Sequence, residues 1–308
     1  MSRVIQSFDF AGIESRVNAW LFGEEWKLQA FRDYDAGTGP DLYCVTYGRA
    51  FRIDPRSIGK KDPRRQRGKV IDLACGYEGG VSALQTWATL YGIDLAEMAA
   101  EVRQALSPDV IDSAEWMWER FGVETGLPHD VYIGCDGVKQ LWRQSHPKIR
   151  QGWKDLKEAA ALAVQNPGQA YHIPNRKLAY KVVDEWLYLR LPSGRKLAYF
   201  KPEWNGENVS YMGIDTATRR WMRTKTYGGK SCENAVQAIA RDLLVNAMFN
   251  LEAAGYPTIG TVHDEVLSEI DETFGSCEEA EKIMCQLPAW AAGLPVAAEG
   301  WRARRYRK

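Results

Sequence analysis

The sequence predicts an α+β fold, and three observations carry that prediction. The stretch TIGTVHDEVLSEI at 258–270 sets Ile259, Val262, Val266, Leu267 and Ile270 around His263-Asp264-Glu265, the pattern of two short strands joined at a tight turn. Residues 3–10, RVIQSFDF, read as a further strand at the opposite end of the chain. Between these lie long runs with helical spacing and recognisable starts and stops.

Taken in order, the first strand carries Asp9 near its end and is followed by a helical run through Ile13, Val17, Trp20 and Leu21. Glu14 falls in its first turn, where an acid suits the positive end of the helix dipole. Residues 60–69 are strongly basic, and Asp62 before Pro63 marks a helix start, with Gly79-Gly80 as its stop. Within it Arg65, Lys69, Leu73 and Tyr77 recur every four residues along one stripe. Two cations, an apolar residue and a phenol match a ligand with polyphosphate at one end and a planar base at the other. Further helices are expected at 80–91, 94–106, 113–121 and 147–164, and a hairpin around Pro192-Ser193-Gly194 within 186–200. A long helix at 231–254 stops at Gly255, the 258–270 hairpin follows, and a helix at 278–287 comes after it.

Asp264 and Glu265, side by side at an exposed tip, would repel each other, which calls for a divalent cation beside them, with Asp9 as the further carboxylate. Each feature also has a plain structural reading. Asp9 could cap the first helix, and Asp264 and Glu265 could be turn residues. Arg65 and Lys69 could solvate a helix face, Gln237 could be an ordinary polar helix position, and His263 a structural turn residue.

Forty basic and forty acidic residues cancel, so no global field draws the chain to nucleic acid. Local basic segments would do that: residues 60–69, the terminal run 302–308, and Arg219, Arg220, Arg223 and Lys225 interleaved with Trp221 and Tyr227. A solubilising surface is the alternative for each. The six cysteines are scattered without metal-ligand spacing and read as reduced residues of a cytoplasmic protein. No signal segment or long apolar run points to secretion or a membrane.

Three segments together resemble the polymerase motifs of family A DNA polymerases: DFAGIESR at 9–16, RRQRGKVIDLACGYEGG at 64–80 and VHDE at 262–265, in the family's order. ENAVQAIARDLLVNAM at 233–248 is similar to the helix before the family's metal-binding hairpin. The closing WAAGLPVAAEGWRARRYRK resembles the end of phage and prophage enzymes of this kind. The resemblance implies an antiparallel palm sheet backed by helices, with a mainly helical fingers insertion. Residues 1–36 would form the first part of the palm. Residues 37–228 would form the fingers, with nucleotide-binding helix 62–78 and β-rich segment 186–227. Residues 229–308 would form the second part of the palm.

It also implies roles. Asp9, Asp264 and the backbone carbonyl of Phe10 would hold two magnesium ions, with Glu265 assisting. Arg65 and Lys69 would bind the triphosphate, and Lys69 would protonate the leaving pyrophosphate. Glu14 would lie beneath the sugar and exclude a 2′-hydroxyl; Tyr77 would stack near the templating position. Gln237 and His263 would touch the primer end or its minor groove. The partners implied are primer–template DNA and dNTPs, in the cytoplasm of a bacterial host.

Leu73 stands where the family carries Phe or Tyr, which puts sensing of the sugar 3′-hydroxyl in question. Gly68 inside the helix costs about 1 kcal/mol relative to alanine and is expected to leave it mobile. Upstream thumb and exonuclease are expected to be absent, since the chain begins eight residues before Asp9. The expectation is then a split polymerase with a separately encoded N-terminal subunit, a minimal enzyme, or a prophage remnant that only binds DNA. A single-subunit RNA polymerase shares the motif geometry, but Glu14 argues for deoxynucleotides.

Overall fold

The computed structural model describes residues 2–174, 178–215 and 218–306. Arg307 and Lys308 of the terminal basic run lie outside the described residues. β1 (Arg3–Phe10) leads into α1 (Ile13–Phe22), α2 (Glu25–Asp35), α3 (Leu42–Phe51), α4 (Pro63–Cys75), α5 (Val81–Leu90), α6 (Leu95–Arg103), α7 (Pro108–Thr125), α8 (His129–Ser145) and α9 (Pro147–Gln165). Strands β2 (Ala170–His172), β3 (Ala179–Val183), β4 (Trp186–Arg190), β5 (Lys196–Trp204), β6 (Val209–Ile214) and β7 (Trp221–Lys225) follow. The chain closes with α10 (Gly228–Ala253), β8 (Thr258–Val262), β9 (Glu265–Asp271), α11 (Cys277–Met284) and β10 (Ala298–Ala303). The α+β expectation holds, and the strand pairings described are antiparallel.

The chain divides into two compact units, Met1–Leu21, Ala159–Lys225, Glu233–Lys308 and Phe22–Glu158, Thr226–Cys232. The first contains both sheets. Its four-stranded sheet runs β10-β1-β9-β8. In β1 the side chains of Val4, Gln6, Phe8 and Phe10 alternate on one face and are buried. Phe8 meets Tyr256 edge-on at 6.1 Å. Gly300, opposite Phe8 on β10, makes room for that ring, because a Cβ there would come within 2.8 Å of Phe8 Cδ1. α11 packs on β10 and β1, and its Glu281 carboxylate accepts from the Gly300 N–H at 2.8 Å.

The second sheet is a meander in the order β2-β3-β4-β5-β6-β7. One of its faces buries Tyr180, Val182, Leu187 and Leu189. At the β4–β5 turn Arg195 donates to Asp242 of α10 at 2.5 Å and to the Ala238 carbonyl at 2.7 Å. Tyr199 accepts from Asn234 of the same helix at 3.2 Å. The apolar residues Val236, Ile239, Leu243, Ala247 and Leu251 of α10 are buried, spaced as one helical face.

The second unit is helical and is organised around a buried ion pair. Lys27 of α2 donates to Asp72 of α4 at 2.6 Å, and Trp142 of α8 adds its indole N–H at 3.3 Å. Removing one member of such a pair leaves a buried charge uncompensated, a loss of about 3–5 kcal/mol. Glu24, also buried, accepts from the backbone N–H groups of Lys148 and Ile149 at the start of α9, where the helix dipole favours an acid.

Several elements differ from the sequence expectation for physical reasons. The first helical region is two helices, because Gly23 adopts φ +69 and ends α1. α8 is not among the helices expected from the sequence, and its residues Val131 through Lys139 are all buried. α4 stops at Cys75, one turn before the expected Gly79-Gly80 boundary, so Tyr77 lies just beyond the helix. There Glu78 takes φ +66, its carbonyl accepts from Arg143 at 3.0 Å, and its carboxylate accepts from the Gly229 N–H at 2.8 Å. Among the described residues no helix is long and apolar enough to cross a membrane.

Gly68 has a packing reason rather than a mobility one. A Cβ at Gly68 of α4 would lie 2.0 Å from the Tyr43 carbonyl oxygen of α3. Gly68→Ala should therefore destabilise the chain by about 1–3 kcal/mol in a denaturant titration, despite alanine's better helix propensity. An unchanged or raised midpoint would contradict the close approach of α3 and α4.

Candidate functional site

The main chain of the first strand and of the late hairpin meet directly. β1 pairs with β9 in a register that sets Asp9 opposite Glu265, and with β10 so that Asp9 also faces Glu299. Directly opposed residues share a sheet face, with Cβ atoms about 4.5–5.5 Å apart. The Phe10 N–H donates to the Asp264 carbonyl at 3.4 Å. At the start of the first helix the Gly12 carbonyl accepts from Arg16 N–H at 3.2 Å. His263 and Asp264 form the two-residue connection between β8 and β9, with Val262 opposite Glu265. His263 is exposed and holds φ +55, a left-handed conformation that histidine tolerates better than most side chains.

The expectation of two acids side by side at an exposed tip is corrected here. Asp264 sits in the turn, but Glu265 begins β9 and is only 3 % exposed. Ser7 Oγ donates to Glu265 Oε1, and the Tyr306 hydroxyl donates to Oε2 at 3.0 Å. Two hydroxyls therefore hold this buried carboxyl group, and the Tyr306 ring stands 5.8 Å from Trp301 of β10. Sequence reasoning missed Ser7, Glu299 and Tyr306. The strand alternation that puts Ser7 on the face of Asp9 was the one available signal for Ser7; nothing local marks the other two.

In the helical unit the stripe on α4 is real as far as Leu73. Arg65 donates to Asp41 at 2.9 Å and lies 5.4 Å from the Tyr43 ring, whose hydroxyl burial pushes up in pKa. Lys69 Nζ stands 4.8 Å from the Tyr91 ring. Leu73 and Tyr77 are half-buried. The basic segment is less of a free patch than its composition implies. Arg64 pairs with Asp62, Arg65 with Asp41, and the buried Arg67 with Glu97 and Glu101 at 2.8 and 2.7 Å. The terminal run is also partly structural, since Arg302 donates to the carbonyls of Glu272, Phe274 and Gly275.

Glu14 lies in the first turn of α1, half-buried, and Gln237 is exposed on α10 between buried neighbours. Arg223 and Lys225 fall on β7 with the exposed Trp221, while Arg219 and Arg220 precede it. All six cysteines are free thiols. Among the described residues no group of three or more His, Cys, Asp or Glu side chains forms an ion cage. Asp9, Asp264 and a main-chain carbonyl are hard oxygen donors, too few to enclose an ion alone. That donor set fits magnesium, which keeps waters and takes one or two carboxylates together with substrate phosphates.

No family model matches the chain. Over 97% of its length, however, it is 33% identical to the DNA polymerase of Bacillus phage SP02. The chain is a relative of a phage DNA polymerase. It spans 40% of that polymerase's length. Among solved structures, the POL domain of Pol1 from M. smegmatis, in complex with DNA primer-template and dNTP, matches 98% of this chain and 39% of that one. The TM-score is 0.53 at 15% identity, a likeness of fold.

Tyr306→Phe deletes one hydroxyl donor to a buried carboxylate and should lower unfolding free energy by about 1–3 kcal/mol, with Ser7→Ala giving a similar loss. Thermal and urea unfolding of both variants measure this; wild-type stability in both would contradict the anchoring of Glu265.

Proposed function

We propose that this polymerase relative catalyses template-directed transfer of deoxynucleotides to a primer 3′-hydroxyl, in the manner of family A. The observation that carries the reading is the β1–β9 register, which brings Asp9 opposite Glu265 and ties Phe10 to Asp264, in a chain 33% identical to a phage DNA polymerase. Asp9, Asp264 and the Phe10 carbonyl would hold two magnesium ions. When bound, the ions supply charge stabilisation to the entering and leaving oxygens of an in-line displacement.

The chain's own residues do the rest. Glu265, fixed by Ser7 and Tyr306, keeps the start of β9 in register so that Asp264 is presented from a rigid turn. In the helical unit Arg65 and Lys69 would bind triphosphate oxygens. Arg65 would exchange its Asp41 partner for phosphate, and Lys69 would give a proton to the departing pyrophosphate. Leu73 would face the sugar and Tyr77 the templating base. Glu14 would exclude a 2′-hydroxyl; Gln237 and His263 would contact the primer end through the minor groove. The exposure of Gln237 and His263 supports such contacts.

The proposed partners are primer–template DNA and dNTPs, those named with the mycobacterial POL domain. In a split arrangement a separately encoded subunit carrying thumb and exonuclease joins them. The proposed setting is the host cytoplasm, where six free thiols stay reduced.

Primer extension with dNTPs and magnesium tests this reading, with and without the partner subunit. Asp264→Ala should lower incorporation by at least about a thousandfold, the scale of several kcal/mol of lost transition-state stabilisation, while duplex affinity stays within about threefold. Wild-type incorporation by that variant, or extension with rNTPs as efficient as with dNTPs, would refute the proposal.

A further inference from the structure

The solvent face of the six-stranded sheet has the makings of a second nucleic-acid surface, apart from the acids of the four-stranded sheet. The pairing register identifies which residues share that face. Val183 lies opposite Trp186, Trp186 opposite Phe200, Phe200 opposite Met212, and Met212 opposite Arg223. These positions form one continuous row across β3 to β7. One pleat along, Ile214 and Trp221 face each other on the same side.

The outer face is open and aromatic. Trp186 is 37% exposed, Trp221 58% and Ile214 63%, while the alternate residues Leu187 and Leu189 are buried beneath. The three rings stand in sequence: Trp186 to Phe200 at 4.8 Å, then Phe200 to Trp221 at 6.4 Å, tilted by 42° and 41°. Large apolar side chains exposed together, rather than singly, mark an interaction surface.

Charge says what kind of partner fits. The outward positions that flank the row carry Lys181, Arg190, Lys196 and Lys225, all exposed. Among the described residues none of the four has a carboxylate within ion-pair distance; the outward face does carry Glu203 of β5, opposite Ser210, and its carboxylate is taken by Arg223 at 2.6 Å. In this the four differ from Arg223 and from the basic run 60–69, where carboxylates of the chain already hold three arginines. A protein partner with an apolar face would leave these cations unmatched. A single strand of nucleic acid matches both features, because its bases stack on rings and its phosphates meet the cations.

We infer that the outer face of this sheet binds single-stranded DNA, stacking two or three bases on Trp186, Phe200 and Trp221 while Lys181, Arg190, Lys196 and Lys225 meet the phosphates. Such a surface would hold an unpaired template or displaced strand. The choice of DNA rests on the polymerase reading above, but the binding itself requires no nucleotide transfer.

The test is fluorescence anisotropy of a labelled oligo-dT 15-mer with the full chain. Trp186→Ala together with Trp221→Ala should weaken binding by about tenfold or more, at stacking's usual contribution per base. Both residues lie on the solvent face, so circular dichroism and the unfolding midpoint should match wild type, and Trp221→Phe should restore part of the affinity. Lys181→Glu with Lys196→Glu should weaken binding and flatten its salt dependence by about 0.7 in log–log slope for each phosphate no longer neutralised. Asp264→Ala should bind the oligonucleotide like wild type. If that variant and wild type both bind but neither extends a primer, the catalytic proposal fails and this one stands. Unchanged affinity in the folded double-tryptophan variant overturns it, as does a change in that variant confined to self-association in sedimentation.

Discussion

The pairing of β1 with β9 is the constraint on which the acidic site depends. Ser7 and Glu265 are 258 positions apart in sequence, and closing so long a loop carries an entropic cost that the strand pairing must offset. The apolar face of β1 does this, with Phe8 and Phe10 fully buried. Because side chains alternate along a strand, the same register that buries Phe8 and Phe10 turns Ser7 and Asp9 to the other face. A slip of one residue would bury Asp9 and expose Phe8, so the core and the site share one specification.

Around that register the polar groups are arranged to hold rather than to react. The buried Glu265 carboxyl accepts from the hydroxyls of Ser7 and Tyr306, as a buried polar group requires. The last described strand, β10, lies on the other side of β1 and carries the tail toward Glu265. Asp264, by contrast, is left in a turn whose backbone is fixed by a left-handed His263 and by the Phe10 hydrogen bond. One acid of the pair is anchored and the next is presented.

Much of this was legible in the sequence, and the rest was hidden for identifiable reasons. The 258–270 hairpin, the first strand, the Asp62-Pro63 helix start and the 186–200 hairpin could be read because period and punctuation agreed. Asp62 does accept from Arg64 N–H at 2.9 Å as a cap. β10 was invisible because AEGWRA alternates weakly and gains its place only by pairing with β1. The spacing of Arg65, Lys69 and Leu73 along one stripe of α4 could be read from the sequence. The internal partners of Arg65 and Arg67 could not, since Asp41, Glu97 and Glu101 lie outside their helix. In sequence Gly68 is only a weak point in a helix; the neighbouring α3 backbone reveals why no side chain fits there.

Manganese binding, followed by loss of the free-ion paramagnetic resonance signal, tests the central claim most directly. If β1 and the hairpin present Asp9 and Asp264 to shared ions, Asp9→Asn and Asp264→Asn should each weaken binding, and the double variant should lose little beyond either one. Undiminished manganese affinity in the folded double variant would contradict the account.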